Sequence, residues 1–549
     1  MSLLRTPPAE SALTEPLDTP RADSAPRTDE RVRHYATRRW VFLTATAILY
    51  AGFIFLGVLT LNPYFAQTWD VTTFIHAAQR LLDGGLLGGF DLYAQSRVAQ
   101  TWPYAYPPLH ALVTALALLI GKFLPMLPEY LWARLPALAA DLGVGLALYA
   151  IVARKTNDES LARLAVLLWL FNPITFYDTA VQGHFESEWL LFILLAFAWF
   201  DKSRSIVAPT LALAVAVLFK QVAILFAIPV WAYMLMGPGK QKSRIIVSAA
   251  IFALVVGIVS LPFLLYSEDF LYMNLTYVEN VPVQTQSWIV ALLGITRSAP
   301  DALTSDFFLL RYQTIATMLV AAVIAFLGAR RGWSLYLTAA LIALAFFLTS
   351  KKVMGYYYVM LFPFLLVDCL PKRRFDLILI AFVATTWISL SPYYAAWSNP
   401  AHWWIYALLG LLYSLLFVWL FMQLVNGPRT SADKRGFFFS SALIRVSPRP
   451  KTVLLVTLGL FAGAVSAAVV QPLIASSASP IRAPLIAPGM EWSAAVAFGT
   501  MIGLVAVALL LLARWTGEFA GTRGIGAWGI VVVFAPLFFA VYTLTKEST

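Results

Sequence analysis

The chain has 549 residues, 60% of them hydrophobic and only 12% charged, with a mean hydropathy of +0.76. A soluble globular chain carries about 45–50% apolar and about 25% charged residues, so this one lacks the polar surface that a water-soluble fold needs. Its net charge of +11 is spread as short basic clusters between apolar runs, which is the pattern of membrane-topology signals and not the solvated basic stripe of a nucleic-acid partner.

Residues 1–37 are rich in Pro, Thr, Ala, Asp and Arg without periodicity, a composition that predicts a disordered cytoplasmic tail. Arg31, Arg33, Arg38 and Arg39 then precede the first apolar run, Trp40–Leu61, which is long enough to span. It lacks the cleavage signature of a signal peptide, so it reads as an uncleaved anchor with the N-terminus inside. A long outer loop follows, Asn62 to about Pro128, in which Leu109–Leu124 reads as an interfacial helix.

Keeping Lys and Arg inside assigns further spans at Tyr130–Ile151, Leu161–Phe176, Trp189–Phe200, Ile206–Leu218 and Val222–Met236. Others follow at Ile245–Tyr266, Phe307–Leu327, Trp333–Leu348, Tyr356–Leu370, Leu377–Leu390 and Trp403–Val425. The last three are Thr452–Val470, Trp492–Leu512 and Trp528–Leu544. The expected fold is an all-α polytopic membrane bundle of about 15 transmembrane helices, N-terminus in and C-terminus out. Cys369, the one cysteine, lies in an apolar run and reads as a small core residue. It excludes an intrachain disulfide and a Cys-based metal site, which fits a bacterial plasma membrane. No internal repeat is visible, which counts against inverted-repeat transporters.

An ionisable side chain is costly in lipid and marks function by default. The acids, histidines and outer cations concentrate in four places, all outside in this topology. Asp70 lies just beyond the first membrane exit, and Tyr106 sits in Tyr104-Ala105-Tyr106-Pro107-Pro108 of the same loop. A carboxylate there is either a solvated loop acid or, if partly buried, a general base.

The second cluster joins Asp178, His184, Glu186 and Glu188. It is too sparse for zinc and reads either as a sugar or phosphate contact or as a loop brace. The third, Ser267 to Arg311, mixes Tyr and Trp with Arg297: flat faces for sugar rings and a fork for phosphate, or an interfacial aromatic belt. The fourth is Lys351-Lys352, an outside exception to the charge rule that suits an anionic ligand or lipid headgroups. Lys220 is a weaker case of the same kind. Arg134 and Asp141 fall in one span, and Asp141 reads as structural packing.

The order of an outer-loop Asp70, then Tyr106-Pro107-Pro108-Leu109, then an Arg134-led span with internal Asp141 resembles the GT-C superfamily of glycosyltransferases. The string Asn172-Pro173, Asp178 and Gly183-His184-Phe185-Glu186 looks like the corresponding segment of dolichyl-phosphate-glucose-dependent glucosyltransferases. It is also similar to prokaryotic polyprenyl-phosphate-mannose-dependent mannosyltransferases. The resemblance covers about Trp40 to Pro371, and its specificity lies in the order of short motifs.

The resemblance implies a GT-C-like catalytic module at 38–371, with accessory helices at 372–549. It implies an inverting transfer of a hexose, by analogy mannose, from a polyprenyl-phosphate donor to an extracytoplasmic glycan or glycolipid, without metal or cofactor. Asp70 would be the base, with Tyr106, His184, Glu186, Arg297, Lys351 and Lys352 contacting substrate. Where relatives carry a His-Glu pair after the ninth span, this chain has Val353-Met354-Gly355, so Lys351 or Lys352 would take the phosphate. The competing readings are a flippase or transporter of lipid-linked glycans and a noncatalytic subunit of a glycan-assembly complex.

Overall fold

The computed structural model describes residues 27–60, 69–84, 89–95, 103–202, 205–237, 241–281, 283–296, 307–390 and 403–426. The chain divides at Ala45 into two units, and the packing below belongs to the second. Apart from one isolated bridge, the regular elements among the described residues are helical. The first, α1 (Arg27–Thr60), begins inside the tail expected to be disordered. Its Arg, Glu and Ala are good helix formers, and neither Pro nor Gly interrupts its first turns.

Between α1 and the next long helix lie α2 (Trp69–Asp83) and α3 (Pro108–Gly121), which pack together. Then come α4 (Leu135–Thr156), α5 (Glu159–Leu170), α6 (Glu186–Lys202), α7 (Val207–Phe219), α8 (Ile224–Met236) and α9 (Gln241–Tyr266). They are followed by α10 (Trp288–Thr296), α11 (Gln313–Arg331), α12 (Leu335–Thr349), α13 (Leu361–Cys369), α14 (Phe375–Leu390) and α15 (Trp403–Val425). Each run expected to span between Tyr130 and Val425 coincides with one of these helices or with a helix pair. The last three expected spans and Arg297 lie outside the described residues.

Short polar signals turn the chain. Asn157 ends α4 in the left-handed region (φ 51°), and the Asp158 side chain caps α5 by accepting from the Ser160 and Leu161 N–H groups. Gly332 (φ 67°) ends α11, and Ser334 caps α12 by accepting from the Leu337 N–H. Both turns are tight, so α4 packs on α5 and α11 on α12. Helix α12 is apolar all round and buried along most of its length, as a central helix must be.

The outer helices turn large apolar residues outward: Ile246, Leu254, Ile258 and Leu265 on α9, and Ile315, Leu319 and Val323 on α11. Water would not tolerate so continuous an apolar surface, whereas hydrocarbon would. Among the described residues, Glu129–Thr156, Ser243–Tyr266 and Gln313–Arg331 are long and apolar enough to cross a membrane. A fourth crossing would join Glu159–Leu170 to Ile174–Ala180 across a 46° bend. The chain is an integral membrane protein.

Candidate functional site

Asp70 stands in the first turn of α2, where a negative charge complements the helix dipole. Phe74 lies one turn further on the same face. It is fully buried, with its ring edge-on to Tyr104, Tyr106, His110, His184 and Phe185. That packing fixes the face of α2 that carries Asp70 against the segment after α5.

That segment bends away from α5 at Asn172-Pro173, passes through a π-helical turn at Tyr177–Gln182 and reverses at Gly183. Gly183 has φ +60°, and a Cβ there would overlap the Val71 side chain and stand 3.1 Å from the Arg134 guanidinium. Only glycine allows the loop to press on the first turn of α2. The His184 N–H closes the turn on the Asp178 carbonyl at 2.8 Å.

His184 is thereby buried beside Asp70. Its Nε2 lies 3.3 Å from the Tyr106 hydroxyl and its Nδ1 3.4 Å from Glu186 Oε1. Its ring stacks on Tyr356, centroids 3.9 Å apart. Burial, and then the positive charge of Lys220, push the imidazole down to about 4, against the pull of Glu186 and Asp70. It is therefore a neutral imidazole at physiological pH.

Glu186 forms a buried ion pair with Lys220, while the Trp189 indole N–H donates to its other oxygen. Lys220 sits where α7 breaks into extended backbone before the short turn Gln221–Ala223. Its ammonium lies 4.3 Å from the Tyr357 ring centroid and 5.3 Å from those of Tyr106, Phe185 and Tyr356. Aromatic faces and one carboxylate thus enclose the charge. Gln221 Nε2 donates to the Ala105 carbonyl and Asn274 Oδ1, tying the Tyr106 loop to the loop after α9.

The two adjacent lysines part company. Gln284 and Lys352 form a parallel bridge, with the Gln284 N–H on the Lys351 carbonyl at 2.7 Å and the Val353 N–H on the Gln284 carbonyl at 2.8 Å. Lys351 Nζ donates to the Glu279 carbonyl at 2.6 Å. Lys352 is half-buried, 5.9 Å from the Tyr277 ring centroid and within electrostatic reach of Asp70. Both lie in the loop beyond α12, and burial pushes each ammonium down to about 8.

Asp70 is half-buried, and its charge acts on Tyr106, His184, Tyr277, Lys352, Tyr356 and Tyr357. Among the described residues neither its carboxylate nor the Lys352 ammonium makes a hydrogen bond or salt bridge. Five of the expected site residues, Asp70, Tyr106, His184, Glu186 and Lys352, therefore share one place. Lys351 is turned to a backbone carbonyl instead. No group of three His, Cys, Asp or Glu side chains among the described residues could hold a metal ion.

Three features escaped the sequence reading. Lys220 is central rather than a weaker case, as its cost between two apolar helices could have signalled. Tyr356 and Tyr357 wall the site. His110 pairs through Nδ1 with Glu188 at 2.9 Å and stacks on Phe185 at 3.7 Å, forming a stack of rings with His184; its place inside α3 gave no sign of this. Asp141 is buried and accepts from the Tyr50, Thr179 and Ser187 hydroxyls. Arg134 donates to the Tyr130 carbonyl at 3.0 Å.

A family profile described as GPI transamidase subunit PIG-U matches residues 45–292. ArnT from Cupriavidus metallidurans, solved in the apo state, is similar at 15% identity and a TM-score of 0.39, over 85% of this chain and 78% of that one. No curated protein matches the chain.

Proposed function

We propose that the protein is a GT-C-type glycosyltransferase that moves a hexose from a polyprenyl-phosphate carrier to an extracytoplasmic glycan or glycolipid. The observation that carries this reading is the uncommitted pair of opposite charges, Asp70 and Lys352, facing one aromatic-walled site. The acceptor oxygen attacks the anomeric carbon as the bond from that carbon to the phosphate oxygen breaks. The electron pair leaves on the lipid phosphate, and Asp70 takes the acceptor proton. Lys352 offsets the charge that develops on the leaving phosphate. Neutral His184, wholly buried with its two ring nitrogens directed at Tyr106 and Glu186, orients the half-buried Tyr106 hydroxyl, which is the group here that reaches sugar hydroxyls. Mannose is the favoured sugar by family resemblance, and 38–371 is the module that carries the chemistry.

The test supplies radiolabelled polyprenyl-phosphate mannose to the purified protein with native membrane lipids as acceptor pool. Transfer by the parent chain and its loss in Asp70→Asn, with fold and donor binding retained, is the expected result. Equal transfer by the variant sinks the assignment of Asp70.

A second reading is favoured by the profile match to a transamidase subunit: the same pocket recognises a lipid-linked glycan inside an assembly without turning it over. In that case the purified chain retains the lipid-linked sugar, and neither it nor Asp70→Asn releases product.

A further inference from the structure

We infer that the far end of α2 carries a second binding site, one for carbohydrate hydroxyl groups, distinct from the site at Asp70. A cavity of about 390 Å³ lies between the C-terminal ends of α2 and α3 and the turn Glu129–Trp132. Gln79, Asp83, Leu118, Lys122, Glu129 and Trp132 are among its lining residues. Thirteen residues of helix separate Asp70 from Asp83, about 20 Å at 1.5 Å per residue. One sugar ring cannot occupy both ends.

The lining has the chemistry of a sugar site. Gln79 Nε2 donates to Glu129 Oε1 at 2.7 Å, which holds these two side chains together at the wall. Trp132 is only 7% exposed, and its indole N–H has no partner among the described residues. Gly121 lies against this indole, 2.8 Å from where a Cβ would stand, so the backbone of α3 packs directly on the ring and fixes it in the wall. Carboxylates and an amide offer acceptors, Lys122 offers a donor, and the indole with Leu118 offers an apolar floor. A pyranose presents that alternation of hydroxyls and C–H faces.

Other ligands fit worse. An anion would meet two carboxylates against one ammonium, and a wholly apolar molecule would leave the polar wall unpaired. Phe123 and Met126, next to Lys122, are 79% and 82% exposed, which provides an apolar platform for acyl chains beside a polar headgroup. The hydroxyls can therefore come from a free sugar or from a glycolipid headgroup. The inference concerns binding and does not rest on the transferase reading.

The experiment uses the full chain in phosphatidylcholine nanodiscs. Methyl mannoside is probed by saturation transfer, and retention of monogalactosyldiacylglycerol is compared with that of phosphatidylglycerol by native mass spectrometry. We expect sugar-bearing probes to bind and the Asp83→Ala/Glu129→Ala pair to weaken binding roughly tenfold. Gln79→Ala, which keeps both charges, should weaken it to a lesser degree, and Asp70→Asn should leave it unchanged. Binding of both sugar probes means the headgroup suffices, and binding of the glycolipid alone means the chains contribute; either supports the site. No saturation transfer together with equal retention of the two lipids overturns it, as does undiminished binding by the folded variants.

Discussion

Glu186 and Lys220 form an ion pair with both side chains almost wholly out of solvent. The pair is local to the site but not uncommitted: the lysine's charge is spent on Glu186 and on four aromatic faces. Among the described residues, Lys352 is left as the cation facing Asp70. Removing one partner of such a pair strands a buried charge, which costs about 3–5 kcal/mol. Glu186→Gln and Lys220→Met should each lower thermal stability by that order, and the double variant should recover much of the loss. A double variant no more stable than the worse single one would contradict the pairing.

Gly183 makes a backbone prediction. Its positive φ and its contact with Val71 leave no room for a methyl group. Gly183→Ala should cost about 1–3 kcal/mol, and adding Val71→Ala should return part of it. Denaturation midpoints of the two variants check this, and an unchanged midpoint for Gly183→Ala refutes it.

His184 makes stability depend on pH. With a folded value of about 4 against an ordinary 6.5, the unfolded chain binds the proton first. Stability is complete above pH 6.5 and falls as pH drops toward 4, by up to about 3 kcal/mol. His184→Gln should flatten that limb. If parent and variant lose stability in parallel between pH 6.5 and 4, His184 is not its source.

Lys352 makes donor affinity depend on pH in the opposite direction. Its ammonium is held down to about 8 by burial, so it loses its charge as pH rises through that value. Donor binding should weaken above pH 8, and Lys352→Arg should carry tight binding to higher pH because guanidinium keeps its proton. A donor titration from pH 7 to 9.5 in both proteins decides it, and identical curves would remove Lys352 from the phosphate site. Lys351→Ala should leave donor affinity within about twofold, since its ammonium is held by the Glu279 carbonyl.

Hydropathy made the helices legible, down to Trp403–Val425, whose observed bounds are the expected ones. The clustering of Asp70 with His184 was legible as an order of motifs. The local geometry that joins them was not: a π-helical turn and a left-handed glycine leave no periodic trace. The adjacent lysines read as one basic unit because sequence spacing ignores direction. In extended backbone, neighbouring side chains point to opposite sides, so Lys351 reaches the Glu279 carbonyl while Lys352 faces Asp70. Lys220 was underweighted because its partner, Glu186, is 34 residues away.

The bridge from Gln284 to Lys352 also couples parts of the chain far apart in order. Four residues past Gln284, Trp288 donates its backbone N–H to the Ser414 hydroxyl at 2.7 Å and its indole N–H to the Leu348 carbonyl at 2.8 Å. Helix α15 is thus a buttress for the bridged segment that carries Lys352, so a chain cut short before Trp403 would keep every reacting side chain yet lose the scaffold that aims one of them.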